Sequence, residues 1–141
     1  MTFRRDYVMT VQLSTTTRNN QLTTLNTDIG ANAVIKIFTG TPPTNCGTAD
    51  TGTLLATFAG NAGGFGTVSA GVLTAAAVAS VTAAAGTPGY FRVYPSAATT
   101  TNAVIQGTAG TSGTDMITTA SPFSAGQTVN FTSLTYTRGG A

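Results

Sequence analysis

The spacing of apolar and polar positions changes once along this chain, and the change divides it. Leu22, Leu25 and Ile29 recur at helical spacing, which predicts one short helix. Thr15, Thr16 and Thr17 offer hydroxyls for its N-terminal cap, Arg18 to Gln21 form its opening turn, and Gly30 closes it. A helix commonly ends on a left-handed residue, and glycine adopts that conformation freely. Its Thr and Asn content is poor for intrinsic propensity, so the packing of the apolar stripe must hold it. Before the helix, residues 1–13 read as an extended arm, in which Phe3, Tyr7, Val8, Val11 and Leu13 follow no sustained period.

After Gly30 the pattern is that of strands. Val34–Phe38, Leu54–Phe58 and Tyr90–Tyr94 are short runs rich in β-branched and aromatic residues. The turn-rich segments Gly40–Gly52 and Gly60–Gly66 separate the earlier ones. Val68, and Val72 to about Thr82, read as strands of small residues; the alanines there lack the stripe of large residues that a helix needs. Ala103–Gln106 and Met116–Thr118 follow, with a turn over Gly107–Gly113 between them. The last strand, Thr128–Thr137, alternates Val129, Phe131, Ser133 and Thr135 against Asn130, Thr132, Leu134 and Tyr136. Short strands bounded by Gly, Thr and Asn turns predict an all-β fold. The expected architecture is an antiparallel β-sandwich, jelly-roll-like, with one short N-terminal helix, formed as a single domain over residues 14–141 behind the extended N-terminal arm of residues 1–13.

Composition narrows the chemistry. The 141 residues include 31 Thr, 21 Ala and 17 Gly, while charged residues make up only 7%, against about 25% in average globular usage. A hydrophobic content of 41% with low net charge argues for a folded chain and against disorder. Its surface is then coated with Thr, Ser, Asn, Ala and Gly. Such a surface resists association poorly, because charge keeps small domains apart. The expectation is a protein whose normal state is assembled. Arg4, Arg5, Arg18, Lys36, Arg92 and Arg138 are scattered, which argues against a nucleic-acid partner. Ser69–Gly86 is uncharged and long enough to span a bilayer, but its Ala, Thr, Ser and Gly give little insertion drive, so no membrane partner is expected. Met1–Thr10 carries Arg4-Arg5 with no apolar run behind it, so a signal-peptide reading fails.

Catalytic chemistry has few residues to work with. The absence of His removes Ser-His-Asp and Cys-His nucleophiles and every His-bearing metal site. Cys46, the single cysteine, has no base to activate it and cannot form an internal disulfide. Gly60–Gly66 lacks the Gly-Lys-Ser/Thr of a phosphate loop. Asp50 and Asp115 are the best loop carboxylates for a hard cation, but they stand alone, without calcium-loop spacing. Asn130-Phe131-Thr132 matches the glycosylation pattern at a mid-strand position. We therefore expect no enzyme activity, no cofactor and no metal. The candidate partner contacts are Phe3, Tyr7, Val8 and Val11 of the arm, together with Arg92. Arg92 sits inside an apolar strand, where it either pairs with a loop aspartate or forms an intersubunit ion pair suited to its planar fork.

The order of motifs has a likeness. Arg18-Asn19-Asn20-Gln21-Leu22 leads to Asp28-Ile29-Gly30; Thr39-Gly40-Thr41-Pro42-Pro43-Thr44-Asn45-Cys46 and Ala49-Asp50-Thr51-Gly52-Thr53-Leu54-Leu55-Ala56 follow. Gly89-Tyr90-Phe91-Arg92, Ile105-Gln106-Gly107, Asp115-Met116 and Ala125-Gly126-Gln127-Thr128-Val129 complete the series. Over about residues 14–138 this resembles a family of small virion structural proteins of tailed bacteriophages, some of them head decoration (cement) proteins. The resemblance implies a β-sandwich bound to the outside of an icosahedral shell, often as a homotrimer, with the major capsid protein as its partner and the capsid surface of the virion as its location. It implies no catalytic residues. The other function class in competition is a receptor- or glycan-binding β-module of a tail fibre or adhesin. Such modules favour similar sheets but usually display aromatic side chains in a groove, and this chain has no Trp.

Overall fold

A computed structural model describes residues 11–139. The helix α1 spans Thr15–Ile29 and starts earlier than its apolar stripe suggests, because Ser14 is the cap: its hydroxyl accepts the Thr17 N–H at 3.1 Å. Gly30, at φ +75°, ends the helix and donates its N–H to Asn26. Leu22 and Ile29 are buried, and Leu25 packs partly against the core. The apolar stripe does not act alone. The Asn19 side chain accepts the Gly71 N–H at 2.8 Å, Gln21 accepts from Arg138 at 2.8 Å, and Asn26 bonds both backbone groups of Gly66 at 3.1 Å. A helix of weak propensity is thus pinned by its own amides to the sheet beneath.

Ten strands follow: β1 (Val34–Phe38), β2 (Leu54–Ala59), β3 (Gly66–Ser69), β4 (Val72–Ala75), β5 (Val81–Thr82), β6 (Tyr90–Tyr94), β7 (Ile105–Gly110), β8 (Met116–Thr118), β9 (Thr128–Val129) and β10 (Phe131–Thr137). The all-β class with one short helix is therefore observed. Hydrogen bonds join eight strands into one continuous sheet, in the order β2-β1-β6-β7-β8-β10-β4-β3, with β5-β9 as a separate pair. This sheet curls upon itself. Phe58 on β2 meets Phe131 on β10 edge-on at 5.4 Å, although four strands stand between β2 and β10 in the sheet order. The core between the two halves holds Ile35, Ile37, Phe58, Phe91, Val93, Met116 and Leu134.

Two departures from the expected pattern have specific hydrogen-bonding causes. β7 and β8 pair in parallel through Ala109↔Met116 and Gly110↔Ile117, across a connection of residues 111–115. Parallel neighbours normally need a connection of about a dozen residues. Here Asp115 ties the short return: one carboxylate oxygen accepts both the N–H and the hydroxyl of Thr108 at 2.8 Å. The expected single strand Thr128–Thr137 breaks at Asn130, whose carboxamide donates to Val78 O at 3.1 Å and accepts the Phe131 N–H at 2.8 Å. That carboxamide is committed inside the fold. A register irregularity between Phe131 and Ser133 then shifts the alternation, so that Leu134 is buried and Ser133 is exposed.

The β3–β4 hairpin turns through Ala70 and Gly71, at φ +51° and +78°. Positive φ at both central residues is the requirement of a type I′ turn, and Asn-Gly is its preferred sequence. Alanine in the left-handed region costs about 1 kcal/mol. Ala70→Asn should therefore raise stability by about 1 kcal/mol and the melting temperature by about 3 °C. Thermal denaturation followed by circular dichroism checks this; an unchanged or lower midpoint contradicts it.

Candidate functional site

β6 is buried on both faces. Alternation sends Phe91 and Val93 into the apolar core, and Tyr90, Arg92 and Tyr94 to the opposite face. Cross-strand register places Lys36 of β1 opposite Arg92, and Gln106 of β7 on its other side. Phe38 belongs to the same face and stacks on Tyr90 with ring centroids 5.0 Å apart. What covers this face is the loop between β1 and β2, the segment that contains Thr41-Pro42-Pro43-Thr44-Asn45-Cys46.

Arg92 holds that loop. Its side chain is 0% exposed, and each guanidinium nitrogen has an acceptor. Nε donates to Gln106 Oε1 at 3.0 Å and Nη2 to Asn45 O at 2.9 Å. Nη1 donates to Thr48 O at 2.8 Å, to Asp50 Oδ1 at 2.7 Å, and to Thr100 O at 3.3 Å. One planar fork therefore joins the sheet, the loop before β2 and the loop after β6. Gln106 extends the clamp by donating to Pro43 O at 2.7 Å. The Tyr90 hydroxyl donates to Thr51 O at 2.6 Å and accepts the Thr51 N–H at 3.0 Å. Close backbone contact completes the seal: a side chain at Gly89 would strike the backbone of Gly40.

The electrostatics follow from burial. Desolvation alone would lower the pKa of Arg92, but the hydrogen bonds to Asp50 and Tyr94 outweigh it, and the net direction is upward. Asp50 also accepts a hydrogen bond from the Tyr94 hydroxyl and lies 4.0 Å from Lys36 Nζ. The Lys36 ammonium sits 4.7 Å above the Tyr94 ring. Burial first, and then the bond to Asp50, push the Tyr94 phenol far above its ordinary value. Two cations, one carboxylate and a neutral phenol form one cluster. With Arg92 fully buried and Lys36 and Asp50 only partly exposed, it is built to hold backbone in place.

Beside the clamp runs a groove of about 420 Å³, lined by Leu25 of α1, Phe91, Ile105, Leu134 and Tyr136, with Cys46 among its walls. Tyr136 is 43% exposed. Two polar groups of the groove are engaged elsewhere, Gln106 by Arg92 and Pro43 and Asp115 by Thr108, while Thr135 and Cys46 also line it. Among the described residues no group of three His, Cys, Asp or Glu side chains comes together. No helix there is long and apolar enough to cross a membrane.

Of the candidate contacts read from sequence, Phe3, Tyr7 and Val8 lie outside the described residues. Val11 is 82% exposed and lies outside any helix or strand. Arg92 is inside the chain and paired with the loop carboxylate Asp50, so an intersubunit ion pair is replaced by an internal one. Sequence reasoning missed Lys36, Tyr90, Tyr94 and Gln106 as its companions. A signal was there: Tyr90, Arg92 and Tyr94 alternate polar-tipped side chains with Phe91 and Val93. Comparison with family models, with curated proteins and with solved structures gives no match for this chain.

Two predictions follow from the clamp. Arg92→Met leaves a carboxylate largely without its counterion and should cost about 3–5 kcal/mol in urea unfolding. Adding Asp50→Asn to that variant should recover part of the loss; additive losses would show that the pair is not coupled. The second concerns pH. A tyrosine whose folded pKa is raised contributes stability that is full below about pH 10 and is lost as pH rises above it. Urea midpoints measured upward from pH 8 should therefore fall on the alkaline side, and fall less steeply in Tyr94→Phe.

Proposed function

We propose that this chain is a virion structural protein, a head decoration (cement) protein that binds the outer surface of a phage capsid through the major capsid protein and stiffens the shell. One observation carries the reading: the distribution of charge. Of six basic and four acidic residues, Lys36, Asp50 and Arg92 are drawn into the clamp. Only Arg18, Asp28, Asp115 and Arg138 remain as ionic side chains elsewhere on the described body. The rest of the described outside is mostly hydroxyl, amide and small apolar groups, with Val11, Leu54 and Tyr136 exposed among them. Such a surface suits permanent coverage and is ill suited to keeping a monomer apart from its neighbours. A sheet pinned to its longest loop by a buried arginine also gives a stiff body, which a cement function needs.

Attachment would then rest on apolar contact, backbone pairing and Thr and Asn hydrogen bonds. A homotrimer that engages several capsid subunits at once gains avidity from effective concentration. The groove beneath Tyr136 favours a second reading, a glycan- or receptor-binding module, because an exposed aromatic at a concave surface suits a sugar face. Gln106 and Asp115 beside it are already bonded within the chain, which counts against it.

On the decoration reading, heads carrying the protein should survive higher temperatures than heads without it, since binding stabilises the bound form by mass action. Attachment with few charges should also resist about molar salt. Heating particles with and without the protein, at low and high salt, while following DNA release, checks both. Equal rupture temperatures would remove the cement role, and release by moderate salt would remove the apolar attachment. Imaging the protein on tail fibres in place of the head would favour the glycan-binding reading.

A further inference from the structure

The sheet is joined across β7, β8 and β10 over only part of its height. β8 has three residues. It reaches Ala109 and Gly110 of β7 on one side, and Phe131 to Leu134 of β10 on the other. Both neighbours run on past its first residue, Met116. On β7 the stretch Ile105–Thr108 still pairs with β6, and on β10 the stretch Thr135–Thr137 still pairs with β4. Among the described residues neither stretch has a strand on the side that looks toward the other. β8 stops short because the chain before it is tied back: Asp115 accepts from Thr108 through its carboxylate and donates its N–H to the Thr108 hydroxyl.

The groove of about 420 Å³ lies at this gap, and its lining shows that it cuts through the sheet. Ile105 stands opposite Val93 and so belongs to the core face, as do Phe91 and Leu134. Gln106 stands opposite Arg92 and belongs to the clamp face, where the loop that carries Cys46 lies. Thr135 and Tyr136, adjacent on β10, point to opposite faces, and both line the groove. A depression on one face of an unbroken sheet would not touch both.

The strand edges beside the gap present main-chain groups to it. Ala109 N–H bonds Gly89 O next to β6, so alternation turns the N–H and C=O of Gln106 away from β6 and into the gap. Across from it, Arg138 N–H bonds Gly71 O beside β4, so the main-chain groups of Thr137 are turned away from β4. The Gln106 side chain is committed to Arg92 and Pro43, but its main chain is not.

We infer that an extended segment of a partner protein adds here as a strand in line with β8, parallel to β7 and antiparallel to β10. Main-chain bonds to Gln106 on one side and Thr137 on the other hold it, a pairing that another backbone matches at strand spacing. The gap also sets the chemistry of the segment. Successive side chains point to opposite faces, so every second one meets Leu25, Phe91, Ile105 and Leu134 and is aliphatic. Those between them meet Thr135, Cys46 and solvent, where hydroxyls suit. The one ionic group of the lining is Asp115, at the end where β8 begins, and it repels an acidic segment. The apolar wall disfavours a charge of either sign. The partner strand is thus an uncharged alternation of aliphatic and hydroxyl residues, about as long as Thr135–Thr137 within the gap. The gap is there whatever the partner's identity, so none of this rests on the decoration reading.

The test uses the full chain and a capped, uncharged heptapeptide that alternates Thr and Val. Titrated to about millimolar, it should shift the NMR signals of the Gln106 and Thr137 N–H groups and slow their hydrogen exchange several-fold. Alkylation of Cys46, the single cysteine, should slow in parallel. The same peptide N-methylated at alternate residues keeps its side chains and should bind about tenfold more weakly or worse. Tyr136→Ala, at a half-exposed side chain, should weaken binding several-fold with an unchanged melting temperature. The peptide variants keep the test decisive if that substitution disturbs the fold. Four results would each overturn the inference. The Gln106 and Thr137 signals could stay unmoved at the highest peptide concentration. The N-methylated peptide could bind equally well, which would mean apolar docking without strand pairing. Binding could appear only after deletion of residues 1–10, which would mean that the chain fills its own gap. Protection of these amides could grow with protein concentration alone, which would put a second copy there.

Discussion

A buried guanidinium with all its donors engaged is the constraint on which this structure depends. Removing an arginine from water is unfavourable unless charge and hydrogen bonds are returned to it. Here they come from two stretches far apart in sequence: Asn45 and Thr48–Asp50 before β2, and Thr100 with Gln106 after β6. Each acceptor must be present for the burial to be tolerable, so the loops that carry them adopt one conformation together. The loop before β2 has little apolar content of its own with which to fold down. Arg92, with Tyr90 and Gln106 beside it, is what brings that loop onto the sheet.

This arrangement also explains how a charge-poor chain makes a specific fold. Amide side chains repeatedly stand in for backbone. Asn26 completes a rung at the β3 edge, Asn19 caps the hairpin turn, and Asn130 takes the place of a neighbouring strand at the break between β9 and β10. Asn45 folds its own loop by accepting from Gly47 and Thr48, at 2.9 and 3.1 Å. A short side chain with both donor and acceptor imposes direction where hydrophobic burial would not. A composition that looks bland by charge is therefore rich in local geometric instruction.

The same feature decides what could be read from sequence. β1 and β6 were legible to the residue because both faces of each are covered and their runs are unbroken. The class of the fold followed from such runs and the turns between them. The start of α1 was not legible, since Ser14 to Thr17 offers four similar hydroxyls and only tertiary anchoring selects Ser14. β10 was misjudged for a related reason: the commitments of Asn130 and the irregularity after Phe131 depend on partners remote in sequence. Arg92 and Asp50 were each visible as unusual residues, but nothing local pairs them. The pairing emerges only when Tyr94, Arg92 and Lys36 share a face under one loop.

Concentrating charge in the interior has a consequence for the exterior. Proteins commonly protect sheet edges with lysines, prolines or inward-pointing charges. A chain that commits Lys36, Asp50 and Arg92 to its clamp has few ionic groups left to guard its periphery. It must cover each edge with another element or leave the edge bare. The β3 edge shows the first solution, an amide from a helix that is itself held by amides. At β2 the Ala84 N–H bonds Leu55 O and the β5 segment packs against the strand. The treatment of the edges thus follows from the clamp: a fold stabilised by internal polar bonds, with little charge outside, lays its own segments against the edges of its sheet.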